Sequence, residues 1–594
     1  MNFGVPYNYD HDALEYAMVS QTVNQTGGYL STSHLGAPFG QNLHEFPYGA
    51  DNLNIELLHF FNGATGDPSR SINLLLLVGY PLAALVAFAS MRRMRISRSV
   101  SALGSVLIAF APYHQARAGG HLFLSSYFMV PFGVMLVVTA CSNDAPLVGW
   151  RTRRDLPVLL GCAALASTGA YYALFTVILL GIVSAAAAIG RRSIRPLRSA
   201  VTLGAVIVGV LALNLMPSLV WRVTHDANNV VAARSPVETE LYGLKVTAML
   251  MPVPNHRVAP LATIGSKYVA NSPLPSENGQ QLGVIGSLGF LGLIGSIGIV
   301  LFRRRTQGEG DERDPSADRF SEWESLRVLV LAAILLSTIG GLSYVLSAGG
   351  LSELRGWNRM SIVVMVACVF AVALVIDRAC GRMSVRSFRM IVGLVLVVGV
   401  FDQVGVVQNN FHVTTEREFA SDRTFFTGVS TALGGNGAVL QLPFVSYPET
   451  PPINKTGAFD PVAAYLHAPE LHWSFGGMRG SVPAWQERLN AATPDDVATQ
   501  AIAMGFFAIV VDHNGFADRG SALSAGFLQI GALAGATSPD GRYQWFDLRP
   551  AKSLAESRGV DLEAMRRALT ALPPAKIIPH RQTPGDPNSP VVTG

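Results

Sequence analysis

Long apolar runs alternate with short polar breaks from about residue 72 to residue 407. That pattern predicts a bundle of membrane-spanning helices. Runs near bilayer-crossing length fall at 72–91, 99–113, 122–140, 157–170, 172–190, 199–217, 283–302, 327–346, 360–377 and 389–407. The stretch 157–190 is too long for one helix. Ser167-Thr168-Gly169-Ala170-Tyr171-Tyr172 breaks it into two spans that meet at a polar turn. In the run 283–302, glycine recurs at Gly283, Gly286, Gly289, Gly292, Gly295 and Gly298 between apolar residues. A step of three winds slowly around a helix, so these glycines share no single face. They predict close approach by several neighbouring helices.

Arginines set the expected sidedness. Arg92, Arg93, Arg95 and Arg98 follow the first run, and Arg151, Arg153 and Arg154 the third. Arg191, Arg192, Arg195 and Arg198 follow the fifth, Arg303 to Arg305 the seventh, and Arg378, Arg382, Arg386 and Arg389 the ninth. Every second connection is basic, and basic connections stay in the cytoplasm. The opening stretch, the turns 113–121 and 347–359, the long loop 218–282 and everything after 408 are then expected outside. An outward opening needs a span before it. The expectation is a further apolar helix upstream of Met1, giving about eleven spans, with translocation of a free N-terminal tail as the alternative.

After the last run the pattern changes. GAVLQLPF (437–444), FAIVVDH (507–513) and GRYQWFDLR (541–549) read as strands. DDVATQAIAMGF (495–506), with Thr493 or Asp495 near its N-cap, and LSAGFLQIGALAG (523–535) read as helices. The expected organisation is an outward segment 1–71, a helix bundle 72–407, an extracytoplasmic α/β domain 408–572 and a Pro-rich disordered tail 573–594. The region 303–326 reads as a charged, flexible cytoplasmic loop.

Composition agrees with a membrane protein: 49% hydrophobic and 14% charged residues, with mean hydropathy +0.33. The net charge of +4 is spread over short clusters and is no nucleic-acid footprint. Cys141, Cys162, Cys368 and Cys380 lack metal-ligand spacing and lie outside the long polar segments, so neither a disulfide framework nor a zinc site is expected. No Ser-His-Asp arrangement, phosphate-binding loop or dinucleotide glycine fingerprint stands in a credible context.

The candidate chemistry lies in the outward segments. Tyr7 to Phe61 holds Asp10, Asp12, Glu15, His34, His44, Glu45, Asp51 and Glu56, and no Lys or Arg. Read as a loop, it is a place for chemistry at the membrane surface; the competing reading is a solvated polar loop. Asp10-His11-Asp12 puts two carboxylates two residues apart, where they can hold a divalent cation, magnesium or manganese, or bridge a diphosphate. Asp51 and His44 are further candidates in the same segment. His114, Arg117 and His121 are spaced to share one face of a helical turn, which suits a lipid-linked phosphate or plain interfacial anchoring. Arg355 and Arg359 sit on an outward turn where the charge rule disfavours them. They read as a phosphate clamp, or as partners of a local acid such as Glu353. The loop 218–282, with Glu238, Glu240, Tyr242, Lys245, His256, Arg257 and Lys267, is long enough to cover a site.

These residues resemble the GT-C superfamily of polyprenyl-phosphate-sugar-dependent glycosyltransferases. Related bacterial membrane proteins carry Asp-Ala-Leu, then Leu-Gly-Ala-Pro-Phe-Gly-Gln and an aromatic-Pro in the first loop. The matching residues here are Asp12-Ala13-Leu14, Leu35 to Gln41, and Phe46-Pro47. His11 stands where that group often has glycine. The resemblance implies a GT-C-like bundle in a bacterial inner membrane, with the active site and C-terminal domain outside. It implies Asp12 as the catalytic aspartate with Asp10 beside it, and His114, Arg117, His121, Arg355 and Arg359 around the donor phosphate. The implied partners are the bilayer, a polyprenyl-phosphate-linked sugar and a glycan or lipid acceptor, with no nucleic acid. Such an enzyme would transfer a hexosyl or pentosyl group during envelope polysaccharide synthesis. Two other classes stay open: a transporter or flippase of lipid-linked sugars, and a non-catalytic assembly protein that binds through its α/β domain. An inverted repeat or a mid-span ionisable cluster would favour the transporter, and neither is visible.

Overall fold

A computed structural model describes residues 2–574 apart from 47, 143–154, 226–227, 229, 232–233, 273, 275–276, 307–320, 381–382, 407–408 and 449. The arginines at 151–154, most of the charged loop and nearly all of the expected tail lie outside the described residues. Helices stand at all ten apolar runs. Among the described residues, five are long and apolar enough to cross a membrane: Pro68–Arg93, Leu122–Ser142, Ala170–Arg191, Arg195–Asn214 and Trp357–Ala379. Leu156–Ala166 and Gly283–Gly298 are apolar but shorter.

Several boundaries differ from the expected ones for local reasons. The run 99–113 ends as a helix at Ala109, and a separate helix, Pro112–Ala118, follows. Proline supplies no N–H and disfavours helix in the residue before it, so Pro112 favours the start of a new helix over continuation of the old one. The run 327–346 is helical over Glu322–Ser337, leaves the helix at the extended Thr338, turns through Gly340 with φ 75° and resumes as the short helix Ser343–Leu346. Ser321 and Glu324 form a capping box at its start. Ser167–Gly169 separates Leu156–Ala166 from Ala170–Arg191, as the polar turn predicted.

The opening segment is a correction. It is not a loop: it forms α1 (Asp12–Thr26), a two-stranded ribbon of β1 (Ser31–Thr32) and β2 (Gln41–Asn42), and α2 (Asn52–Thr65), which leads into α3 (Pro68–Arg93). Its acids cluster near element starts, while Leu14, Met18, Val19 and Val23 of α1 are buried. That apolar face packs on the C-terminal unit and not on the bundle alone.

The C-terminal unit is α/β, built on a five-stranded sheet. Its strands are β3 (Ala438–Leu442), β4 (His472–Trp473), β5 (Phe506–Asp512), β6 (Leu533–Thr537) and β7 (Tyr543–Asp547), in the order β4-β3-β5-β7-β6. β3 runs parallel to β4 and β5, and β7 runs antiparallel to β5 and β6. The expected helix 523–535 ends at Gln529, because Gly531 turns with φ 88° and the chain enters β6. A 25-residue helix, Asn409–Leu433, precedes the sheet. Its polar composition hid it from the apolar pattern.

One hydrophobic core joins the opening segment and α3 to the C-terminal unit: Leu14, Met18, Ile55 and Leu75 lie in it with Phe426, Tyr465, Trp473 and Phe475. Polar contacts fix the register. Gly36 N–H donates to the Phe475 carbonyl at 2.7 Å, and Trp473 N–H to the His34 carbonyl at 2.9 Å. Tyr9 donates to Asp422 at 3.0 Å. The Glu15 carboxylate accepts from Tyr48 and from Tyr447.

The bundle has two unlike ends. Pro68–Arg93, Ala170–Arg191 and Met360–Cys380 begin beside the opening segment or its neighbours and finish among arginines. At that far end Ser97 N–H donates to Asp377, and Arg191 donates to the Ser142 carbonyl at 2.8 Å. The arginines there also suit the negative ends of the helix dipoles.

The glycine run behaves as two halves. A Cβ on Gly283 would meet Gln403, and one on Gly289 would meet the Cys368 carbonyl, so two different helices approach closely. Gly292, Gly295 and Gly298 have nothing within 4 Å of an added Cβ. Gly289→Leu is therefore expected to force the helices apart and lower the thermal midpoint in detergent, costing about 1–3 kcal/mol or more. Gly295→Leu is expected to leave the midpoint within experimental error. Equal shifts for both would refute this packing.

Candidate active site

Asp12 is the first residue of α1, placed there by His11, whose φ of 46° is unusual for a non-glycine residue. A carboxylate at a helix start is favoured by the helix dipole. The Asp12 side chain is 44% exposed, and its Oδ2 lies 3.3 Å from Nδ1 of His121. Asp10 goes elsewhere: it is 56% exposed and pairs with the adjacent His11 at 3.1 Å. The two carboxylates thus have different partners. Among the described residues no group of three or more His, Cys, Asp or Glu side chains is placed to hold a metal ion.

The arginines converge. Arg117, on Pro112–Ala118, is 2% exposed, and its Nη1 donates to Glu277 Oε2 at 2.5 Å. Arg359 reaches the other oxygen of Glu277 at 3.7 Å. Arg355 donates to Glu238 at 2.9 Å. Each guanidinium lies over a tyrosine ring: Arg117 over Tyr113, Arg355 over Tyr242 and Arg359 over Tyr171, the last at 4.2 Å. A Cβ on Gly356 would come within 2.8 Å of Arg359 Nε, so glycine leaves that guanidinium its place. Arg359 also stands where the helix Met360–Cys380 begins, an end that disfavours a cation and favours an anion.

The guanidiniums are not saturated. Among the described residues, Nε and Nη2 of Arg117 and Nε of Arg359 are buried with no hydrogen-bond partner. Buried donors normally find partners, so these nitrogens keep an unmet capacity for acceptor oxygens.

The carboxyls and His121 feel this field. Burial works against a charge on Glu277, but Arg117, Arg359 and His121 together hold its carboxyl well below the usual range. Burial pushes the His121 imidazole down to about 3; Glu277 opposes this, while Arg359, Arg117 and Arg355 add to it. His121 is therefore neutral near pH 7. Burial raises the Asp51 carboxyl to about 7, against the pull of Asn54 and Arg359. Asp51 sits at the start of α2, where Leu53 N–H and the Ala50 carbonyl bond to Ser167 and Gly169 of the polar turn. Tyr16 lies among these charges: burial, Glu15, Asp12 and Asp51 raise its phenol well above the usual value, and Arg359 opposes them.

The structure thus gathers Asp12, His121, Arg117, Arg359, Arg355 and Asp51 around one end of the bundle. Besides Asp10, it leaves two sequence candidates out. His114 donates from Nε2 to the Leu76 carbonyl at 3.2 Å, with its ring over Tyr80, so it faces α3 and not the arginines. The expected shared face fails because Pro112–Ala118 ends before His121, which lies past two glycines. His44 donates to Asn42 at 2.6 Å and stacks on Trp221, in a different cluster. Sequence reasoning missed Glu277, Tyr16 and Tyr171. A charge count on the outward segments could have found Glu277, because buried arginines require acids.

No protein-family model and no curated protein matches the chain. Solved structures with a similar course exist. One is ArnT from Cupriavidus metallidurans bound to undecaprenyl phosphate, at TM-score 0.48 and 12% identity, over 92% of this chain and 95% of that one. The apo form of the same protein gives 0.42 and 14%, with the same coverage. Another is the Archaeoglobus fulgidus oligosaccharyltransferase in complex with Zn and sulfate, at TM-score 0.44 and 12% identity, over 91% of this chain and 70% of that one. Likeness at this level carries no functional argument, so the reading below rests on the residues.

Asp51 offers a test of the site's electrostatics. Its folded value lies above its unfolded value of about 4, so its contribution to stability is present below pH 4 and lost as pH rises through about 7. Asp51→Asn removes that loss. The thermal midpoint of Asp51→Asn minus that of the parent is expected to rise between pH 5 and pH 8. A flat difference would contradict the assignment.

Proposed function

We propose that this chain is a GT-C-type membrane glycosyltransferase. It transfers a sugar from a polyprenyl-phosphate donor to an envelope glycan or glycolipid. The observation that carries the reading is the convergence of Arg117, Arg355 and Arg359, with buried nitrogens of Arg117 and Arg359 lacking partners among the described residues, beside the Asp12–His121 pair. The resemblance of the opening segment to that superfamily points the same way.

In this reading the donor phosphate lies against the arginines. Its negative charge replaces the contact of Glu277 with Arg117 and Arg359. As the bond between the anomeric carbon and the phosphate oxygen breaks, charge grows on the leaving phosphate, and the guanidiniums stabilise it. Asp12 takes the proton from the acceptor hydroxyl as that oxygen attacks the anomeric carbon. A divalent cation, if one takes part, would be bound with the donor phosphate, with Asp12 as a carboxylate that could ligate it; Asp10 pairs with His11 instead. The basic bundle end faces the cytoplasm of a bacterial inner membrane, and the site and C-terminal unit face outward. All ten helices at the apolar runs then belong to the membrane bundle.

The test begins with a deletion strain. The reading predicts that a lipid-linked sugar accumulates there. That lipid, isolated and given to the purified protein with membranes of the deletion strain as acceptor, is expected to donate its sugar. Asp12→Asn should lower the rate by about 10²–10⁴-fold. Arg359→Gln should raise the KM for the donor and leave acceptor preference unchanged. Full activity of Asp12→Asn would refute the catalytic role. Transport of the lipid without sugar transfer would favour a flippase.

A further inference from the structure

The imidazole of His121 is the group at this site whose role the arginine field decides. It lies between Asp12 of α1 and the cluster of Arg117, Arg355, Arg359 and Glu277, which come from three other segments. Spacing along the chain grouped it with the arginines as a phosphate cation. A cation is what it cannot readily be, because three guanidiniums repel a proton on its ring and it is largely buried. A neutral imidazole has one N–H and one lone pair. Asp12, a carboxylate favoured by its place at a helix start, accepts and cannot donate. Nδ1 lies 3.3 Å from Oδ2, so the N–H that can be shared with Asp12 is the one at Nδ1. With the proton at Nδ1, the lone pair is at Nε2.

We propose that His121 is a positioning residue: its Nδ1–H fixes one oxygen of the Asp12 carboxylate, so that the other is aimed at the acceptor hydroxyl. This rests on the catalytic role of Asp12 given above. It removes His121 from the set that holds donor phosphate. The backbone supports such a role. His121 N–H donates to the Arg117 carbonyl at 2.8 Å, so the residue that orients the carboxylate is tied to the one that carries a buried guanidinium. Occupation of the arginines and orientation of Asp12 are thereby linked through five residues of chain. Holding a base in line matters because a displacement of about 1 Å can cost about 10²-fold in rate.

Asparagine distinguishes the roles. Its amide nitrogen overlays Nδ1 of histidine, so His121→Asn keeps the donor to Asp12 and removes Nε2. His121→Ala removes both. The probe is the lipid-linked sugar isolated from the deletion strain, presented to the full-length purified protein. Thermal midpoints of both variants are measured alongside. His121→Ala is expected to lower kcat by about 10–100-fold with the KM for donor within twofold. His121→Asn is expected to recover kcat to within about fivefold of the parent. Equal loss in both variants would overturn the proposal and make the imidazole itself the proton acceptor. A raised KM for donor at unchanged kcat would overturn it in favour of phosphate binding, and unchanged kinetics in both would remove His121 from the reaction. Asp12→Asn, assayed in parallel, separates this from the underlying reading: if Asp12→Asn stays active, the reading fails first and the positioning role fails with it.

Discussion

Burying guanidinium groups at the end of a helical bundle demands counter-charge, and that demand shapes the site. Each buried ion loses hydration worth several kcal/mol unless it is paired. Glu277 serves Arg117 and Arg359 together, and Glu238 serves Arg355. One of these cations also stands at a helix start, where the dipole works against it. The arrangement is stable only while an anion is present, and it does not specify a carboxylate. A phosphate has more acceptor oxygens than Glu277 and can reach nitrogens that the carboxylate leaves without partners. The site is therefore organised for an anion whether or not a donor is bound.

A second constraint is positional. Asp12 begins a helix whose apolar face is clamped by the C-terminal unit. Glu15, one turn on, is held by Tyr48 from the opening segment and Tyr447 from the C-terminal unit. Thr22, further along, contacts Tyr465. A reactive carboxylate on a free loop would sample many positions. One at the first turn of a helix fixed along its length is held close to one geometry. This gives the C-terminal sheet a function at a distance: it holds the opening segment over the bundle. It also explains why Trp473 and Phe475 are buried against that segment and not only within their own unit.

Much of this was legible in the sequence because it rests on composition over long windows. Ten apolar runs predicted ten helices, and the basic connections predicted two unlike ends. Three of the five strands of the C-terminal unit, β3, β5 and β7, showed in the sequence; β4 is only two residues long, and the start of β6 read as the end of a helix. What stayed hidden was local or long-range. The opening segment looked like a loop because its acids and histidines mask α1, whose apolar face meets residues more than four hundred positions away. Helix Asn409–Leu433 carries too many polar residues to stand out. Glu277 is an ordinary acid in a Pro-rich stretch until Arg117, 160 residues earlier, is placed beside it. His114 and His121 are indistinguishable in sequence, yet one bonds to a backbone carbonyl and the other lies 3.3 Å from Asp12.

The central claim is that the arginine cluster is a phosphate site. Binding of an unsugared polyprenyl phosphate to the purified protein, measured by native mass spectrometry against the uncharged polyprenol, tests it most directly. The account predicts binding of the phosphate and not of the alcohol. It predicts weakening by about tenfold or more, some 1.4 kcal/mol, in Arg117→Gln and in Arg359→Gln, and tighter binding in Glu277→Gln, where the competing carboxylate is gone. Equal binding of phosphate and alcohol, or binding indifferent to all three substitutions, would contradict it.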